Sequence, residues 1–275
     1  MPLCRASTRL HIAALQASEL AELALVAGLG AASIVLEPLD DEASVLALRP
    51  NAPIYPASMI KLPIGVVLAA SCEARAHAWT DKVTVDSSNV TSNDAPSPFV
   101  AGYTAELGAY AHAMLSASDN VATNVLIDVL GREAITAACA ALGLQATAVR
   151  RKLSGSLPLL DDPAATGRNS HPAADAAALL RVLARDPARA AQPHRVYDAL
   201  ATQIWNGKLS RGLMPGDAFA HKTGDTDEVS HDGGILTLRS GRRFVVVVYT
   251  ELPSTPQTDA CHAAFMRALR PYLGD

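Results

Sequence analysis

The run Phe244-Val245-Val246-Val247-Val248 constrains the fold of this chain more than any other stretch. A phenylalanine and four valines in succession leave no face for water, so the strand they belong to, Arg242 to Thr250, has to be buried. Ser240-Gly241 just before it supplies a tight hairpin turn to a partner strand at Gly233 to Arg239. Ala218 to Thr223 is a further strand, and near the N-terminus Ala32 to Leu36 and Val45 to Leu48 are two more, joined by an acidic turn around Asp40 and Asp41.

Between these two groups of strands the pattern is helical. The spacing predicts helices over residues 7–27, from about 57 to Arg75, from a Thr104 N-cap through Leu130 and on to Leu142, over Ala173 to Arg185, near Val196 to Trp205, and over Thr258 to Leu273. Gly131 and Gly143 read as stop signals. A polar loop spans Asp86 to Pro98, and a long irregular stretch runs from Arg151 to Pro172, a length that inside a compact domain usually marks function or disorder. The fold class is therefore α+β. An antiparallel five-stranded sheet, built from both termini and flanked by N- and C-terminal helices, forms an α/β domain of residues 1–61 and 216–275, and residues 62–215 form an all-helical insert.

A chain of 275 residues can bury a large core, and 49% hydrophobic with 18% charged residues argues for a globular protein. The net charge of -4 shows no basic excess, and aromatics at 4% offer few stacking platforms, so nucleic acid is not an expected partner. Cys4, Cys72, Cys139 and Cys261 are scattered, with no Cys-x-x-Cys pair or Cys/His cluster, so neither a metal nor another cofactor is expected and the thiols are read as single buried groups. The apolar stretch Leu23 to Leu36 is broken by Gly28 and Gly30, and nothing reaches the length of a membrane span. This reading puts the chain as written in the cytoplasm, and in the periplasm or outside the cell if a leader has been trimmed from it.

Three short motifs carry chemistry. In Ser58-Met59-Ile60-Lys61 the serine and lysine lie three apart at a helix N-terminus, on one face, so the amine can reach the hydroxyl. A serine needs a neighbouring base, and a lysine desolvated by apolar neighbours such as Ile64 to Leu68 can be one. Pro63 implies a local kink just past this turn. Alone, Ser-x-x-Lys arises by chance roughly once in a chain of this length. Ser118-Asp119-Asn120 opens the helix Val121 to Leu130 and taken singly is an ordinary N-cap. Lys222-Thr223-Gly224 closes a strand and taken singly is an edge lysine, a β-former and a turn glycine.

Together, in this order and in these contexts, they are the three elements of class A β-lactamases and penicillin-binding proteins. The chain resembles that serine acyltransferase superfamily, most closely its class A-like branch. The likeness extends to Tyr103-Thr104, to Leu115 through Asn124, and to Gln203-Ile204-Trp205-Asn206, Met214-Pro215-Gly216 and His231-Asp232-Gly233-Gly234-Ile235. It implies a β-lactamase/transpeptidase-like fold with the active site between the two domains. It also implies an active-site-serine hydrolase acting through an acyl-enzyme on a small lactam or amide; a monomer is expected.

By that resemblance Ser58 attacks the carbonyl and Lys61 is the base or part of the proton path. Ser118 passes a proton to the departing nitrogen, and the amides of Ser58 and Asp225 form the oxyanion hole. Asn120 holds the acylamino side chain, Lys222 and Thr223 receive a substrate carboxylate, and Asp119 is structural. Class A enzymes activate the deacylating water with a loop glutamate, and the corresponding stretch here, Arg151 to Leu157, has no carboxylate. Asp161 and Asp162 lie further along and are the candidates to substitute for it, though a solvated acidic turn is the better reading. Slow deacylation of classical penicillins is the expected consequence. Asp225 stands where the family has a small neutral residue, which predicts repulsion of an anionic substrate, and His231 stands about where many members pair an arginine with the substrate carboxylate. An amidase, esterase or D-amino-acid peptidase, or a penicillin-binding protein that stays acylated, are the alternative readings.

Overall fold

The structure is a computed structural model and describes residues 15–40, 45–185 and 195–274. Five antiparallel strands, β1 (Ser33–Pro38), β2 (Leu46–Leu48), β5 (Ala218–Asp225), β6 (Ser230–Thr237) and β7 (Arg243–Thr250), form one sheet in the order β2-β1-β7-β6-β5. The valine run lies on β7 in its centre, with Val247 opposite Val35 on one side and Gly233 on the other. Alternate residues of a strand face opposite ways, and both faces are covered here. Phe244, Val246 and Val248 pack with Ile34 and Leu36 against Leu20 of α1 (Ala17–Val26) and Phe265 and Met266 of α8 (Pro256–Leu269). Val245, Val247 and Tyr249 share the other core with Leu179, Leu180 and Leu183 of α6 (Ala173–Arg185). Gly241 turns the β6–β7 hairpin with a positive φ of 90°, as the Ser240-Gly241 signal predicts.

Between β2 and β5 the chain is mainly helical. The helix α2 (Lys61–Glu73) is buried along its first nine residues and without a polar side chain from Leu62 to Ala69, the mark of a helix surrounded by others. It packs against α3 (Leu107–Ser116), α4 (Asn120–Leu130) and α5 (Arg132–Ala141), with α7 (Arg195–Ala201) nearby. Gly65 lets α2 approach α3 closely, since a Cβ there would lie 3.1 Å from a Leu115 methyl. This core and one face of the sheet are a single apolar cluster.

Some local expectations are corrected. Thr104 does not cap a helix. Thr104–Glu106 is strand β4, paired with β3 (Lys82–Thr84), and Thr84 and Thr104 hydroxyls meet at 2.7 Å across the ladder. The insert therefore contains a small two-stranded sheet, because a threonine favours a pleated strand when a partner is available. Pro63 lies in the first turn of α2, where a missing N–H costs nothing. The segment 202–205 leaves helix after Ala201, and residues 270–273 form a 3₁₀ turn rather than the end of α8. The predicted helical residues 7–14, Asp41 of the acidic turn and Cys4 lie outside the described residues. No helix among the described residues is long and apolar enough to cross a membrane.

Candidate active site

Ser58 lies in a 3₁₀ turn, Ala57–Ile60, that runs directly into α2, and Lys61 is the first residue of that helix. Ala57 is held in the left-handed region at φ 46°, a conformation that costs a non-glycine residue about 1–2 kcal/mol and is kept where surroundings over-determine it. Lys61 is wholly buried. Its Nζ lies 2.9 Å from Ser58 Oγ, 3.0 Å from Ser118 Oγ, 2.6 Å from the Ser118 carbonyl and 2.8 Å from Asn120 Oδ1. Burial, and after it the charge of Lys222, holds the Lys61 amine well below the usual lysine range, against the opposing pull of Asp119 and Asp94. A neutral amine in this position has two protons for the Ser118 carbonyl and the Asn120 oxygen. Its lone pair is left for one of the two hydroxyls, which is the arrangement a general base for serine needs.

The second motif supplies the other hydroxyl. Ser118 has a left-handed φ of 61°, which turns the chain sharply between α3 and α4. Asp119 caps α4, its carboxylate accepting from the Ala122 amide at 2.8 Å, so its role is to hold the turn. Asn120 is clamped from outside the motif: its Nδ2 donates to the Ser92 carbonyl at 2.9 Å, and its backbone amide donates to Asn93 Oδ1. Ser92 and Asn93 are supporting residues that the sequence did not announce, lying in an unpatterned polar loop.

The third motif runs along β5 past the Ser58 turn. A Cβ on Gly224 would come within 2.9 Å of the Pro56 carbonyl and 3.1 Å of Met59, so a glycine is what lets the strand approach. Lys222 is fully buried, donates to the Thr223 carbonyl at 2.8 Å, and is pushed down to about 7 by burial, with Asp225 pulling the other way. Thr223 beside it is buried too.

Two expectations at this wall are corrected. The carboxylate of Asp225 does not stand alone, because Lys208 Nζ contacts it and Ser254 Oγ donates to the same oxygen at 2.6 Å. Its charge is balanced inside the protein, which removes the predicted repulsion of a substrate anion. His231 is completely buried. Its Nε2 donates to the Tyr55 carbonyl at 2.8 Å and its Nδ1 accepts from the Thr250 amide at 3.1 Å, so neither nitrogen is left for a substrate carboxylate. Burial pushes it down to about 4, the ring stacks on Tyr249, and His231 stands as a neutral structural group. Lys208, buried and also bonded to the His231 carbonyl at 3.1 Å, is a site residue the sequence reading missed. A lysine after Asn206-Gly207 carries no local signal of where its amine will go.

The long loop is pinned to α4. Asn124, one helical turn beyond Asn120, accepts from the Leu153 amide at 2.7 Å and donates to the Leu153 carbonyl at 3.0 Å. Leu153 itself is buried in the apolar core. Lys152 donates to Asn89 Oδ1 and pairs with Asp128, both at 2.7 Å. Asp162 is engaged as well: it pairs with Arg132 at 2.6 Å and accepts from the Lys152 amide at 2.7 Å. Burial raises the Asp162 carboxyl, but those partners outweigh it and leave it below the usual carboxylate range. It is a structural anion, not the solvated turn expected, and Asp161 is exposed.

Ser210, His221 and Asp232 also line up as hydroxyl, imidazole and carboxylate, with separations of 3.1 and 2.7 Å, beside an open cleft of about 490 Å³. They are not a second nucleophile. Asn206 Nδ2 donates to the Gln203 carbonyl at 2.7 Å, which turns its Oδ1 toward His221 Nε2 at 3.0 Å. That nitrogen must therefore carry a proton and cannot take one from Ser210. No cluster of three or more metal-ligating side chains occurs among the described residues.

A five-stranded antiparallel sheet with a mainly helical insert, and two serine hydroxyls meeting one buried lysine amine where they join, define the class of fold this chain adopts. A model of the Beta-lactamase enzyme family matches residues 16–269, and the chain belongs to this family. Solved structures agree on the fold. A β-lactamase from Xanthomonas campestris pv. campestris aligns with a TM-score of 0.79 at 18% identity, covering 96% of this chain and 100% of that one. A β-lactamase from Sphaerobacter thermophilus gives 0.76 at 23% identity, covering 92% and 96%. A point mutant of PBP-A, solved as an acyl-enzyme complex with penicillin G, gives 0.77 at 21% identity, covering 92% and 95%. Comparison with curated proteins gives no match.

Proposed function

We propose that this protein is a serine hydrolase that opens a lactam or related amide through an acyl-enzyme on Ser58 and releases the acyl group slowly. The observation that carries this reading is the buried Lys61 amine, within 3.0 Å of both Ser58 Oγ and Ser118 Oγ. The site lies between the sheet part, residues 1–61 and 216–275, and the insert, residues 62–215, and a single chain supplies all of it.

Lys61 takes the proton of Ser58 Oγ as that oxygen bonds to the carbonyl carbon. The oxyanion that forms is held by the amides of Ser58 and Asp225, a contribution often worth about 3 kcal/mol. The C–N bond then breaks and the nitrogen receives a proton from Ser118 Oγ, which regains one from Lys61. In a lactam the nitrogen stays tethered, so nothing leaves. Lys222 and Thr223 receive the substrate carboxylate, and Asn120 orients the acyl side chain.

Hydrolysis of the ester needs a base for water. On the loop that faces α4 the residue held by Asn124 is Leu153, and the nearby carboxylate, Asp162, is committed to Arg132. The same observation favours a second reading, in which the protein works as an amidase, esterase or D-amino-acid peptidase on another small substrate, or stays acylated as a penicillin-binding protein. Incubation with a reporter cephalosporin and a labelled penicillin, following colour and covalent mass together, separates these. Colour in steady turnover supports a lactamase, a lasting adduct with a single stoichiometric burst of colour supports a binding protein, and hydrolysis of a chromogenic ester but no lactam moves the substrate class.

A further inference from the structure

The two sides of the cleft use charge differently. Along β5, Lys222 and Thr223 make a seat for an anion, and the neighbouring Asp225 is balanced by Lys208 and Ser254. On the helical side the loop before β4 gives the Ser92 carbonyl and Asn93 Oδ1 to Asn120, and Asp94 follows directly. Asp94 is exposed, and its carboxylate makes no hydrogen bond or ion pair among the described residues. It follows directly on Asn93, whose side chain holds the Asn120 amide, so the chain sets it beside Asn120, and its charge opposes the lowering of the Lys61 and Lys222 amines. The clamp on Asn120 fixes the loop that carries it. A solvated loop aspartate needs no such placement, whereas a carboxylate held beside the group that orients the acyl side chain is poised to meet a cation there.

From this layout we infer that the favoured acyl donor is a zwitterion, with a carboxylate on the leaving side for Lys222 and Thr223 and an ammonium on the acyl side for Asp94. The inference rests on the acyl-enzyme reading above and narrows its substrate class to short amino-bearing amides or lactams. Charge complementarity of this kind decides which of two similar substrates is taken more than how tightly either binds.

Two penicillins that share ring and carboxylate, one with a phenylacetyl and one with an aminophenylacetyl side chain, isolate the ammonium. Acylation rates from intact mass, at low salt, are expected to favour the amine-bearing compound by about three- to five-fold, the size of an exposed charge pair. That ratio should fall to about one in Asp94→Asn and should shrink in wild type at high salt. Equal rates in wild type, or a preference that survives Asp94→Asn, overturn the inference. Ser58→Ala, which cannot form the adduct, provides the independent arm. Calorimetric binding of the two compounds to it reads the ammonium contact alone, and equal affinities there also overturn the inference. Failure of wild type to be acylated by either compound counts against the acyl-enzyme reading instead, and the binding ratio in Ser58→Ala still decides the role of Asp94.

Discussion

The turn that carries Ser58 and the loop that carries Leu153 both meet α4, and they are finished to different degrees. At Asn120 the helix joins a network in which every polar group has a partner: Lys61 touches four oxygens, and Asn120 is held by Ser92 and Asn93. One turn later, at Asn124, the helix holds a loop by its backbone alone, and the side chain so presented is a leucine. The difference separates the two halves of an acyl-transfer reaction. On the proposed reading, forming the ester draws on groups that are present and placed, while for water attack on that ester Asn124 holds a leucine and the buried loop carboxylate, Asp162, is committed to Arg132.

The sharpest way to break this contrast is at Lys61. Lys61→Met keeps much of the side chain's volume and removes the base, and acylation by penicillin G is expected to fall by about 10²–10⁴-fold, the range of general-base contributions. A loss under ten-fold in a stopped-flow or mass time course would assign the proton to another group. The opposite side is tested by Leu153→Glu, which puts a carboxylate where Asn124 holds the loop. Release of the acyl group is expected to quicken by about ten- to a hundred-fold, with some loss of stability from burying the acid. An adduct lifetime unchanged in a folded variant would show that the loop does not face the ester.

A smaller effect comes from the β5 wall. Lys222 is pushed down to about 7, chiefly by burial, so it loses its charge as pH rises through neutrality. KM for a carboxylate-bearing substrate is expected to climb by several-fold between pH 6 and pH 8.5, while a carboxyl-ester analogue shows no such trend. Stability depends on pH as well, through groups away from the reacting atoms. His171, His231 and His262 are buried neutral, pushed down by burial to about 3, 4 and 3. The unfolded chain binds their protons below about pH 6.5 and the folded chain does not, so stability falls as pH drops from 6.5 toward 4, each histidine contributing about 1 kcal/mol per pH unit. Urea midpoints at pH 7, 6 and 5 give the slope. A flat profile would mean that these rings find proton partners in the fold.

What could be read in the sequence was whatever depends on neighbours along the chain. The valine run, the Ser240-Gly241 turn and the helical spacing of Ala173 to Arg185 depend on local periodicity, and each lies in the element it predicts. The three motifs were legible as motifs because their spacing is short. The misreadings came where a distant partner decides. Thr104 became a strand because Lys82–Thr84 pairs with it. Asp225 lost its isolation to Lys208, seventeen residues away, and His231 was sealed by the Tyr55 carbonyl from the far end of the chain. Asp162 was drawn to Arg132 across the loop. Charge and burial at a site are properties of the assembled sheet and insert, and no local pattern encodes them.

The most direct test is the mass of the protein after exposure to penicillin G, followed over hours and mapped by digestion. The expected result is near-stoichiometric addition of the intact lactam to the peptide containing Ser58, lasting well beyond the time needed to form it and absent in Ser58→Ala. Rapid penicillin hydrolysis with no adduct ever visible, or the same adduct in Ser58→Ala, would contradict it.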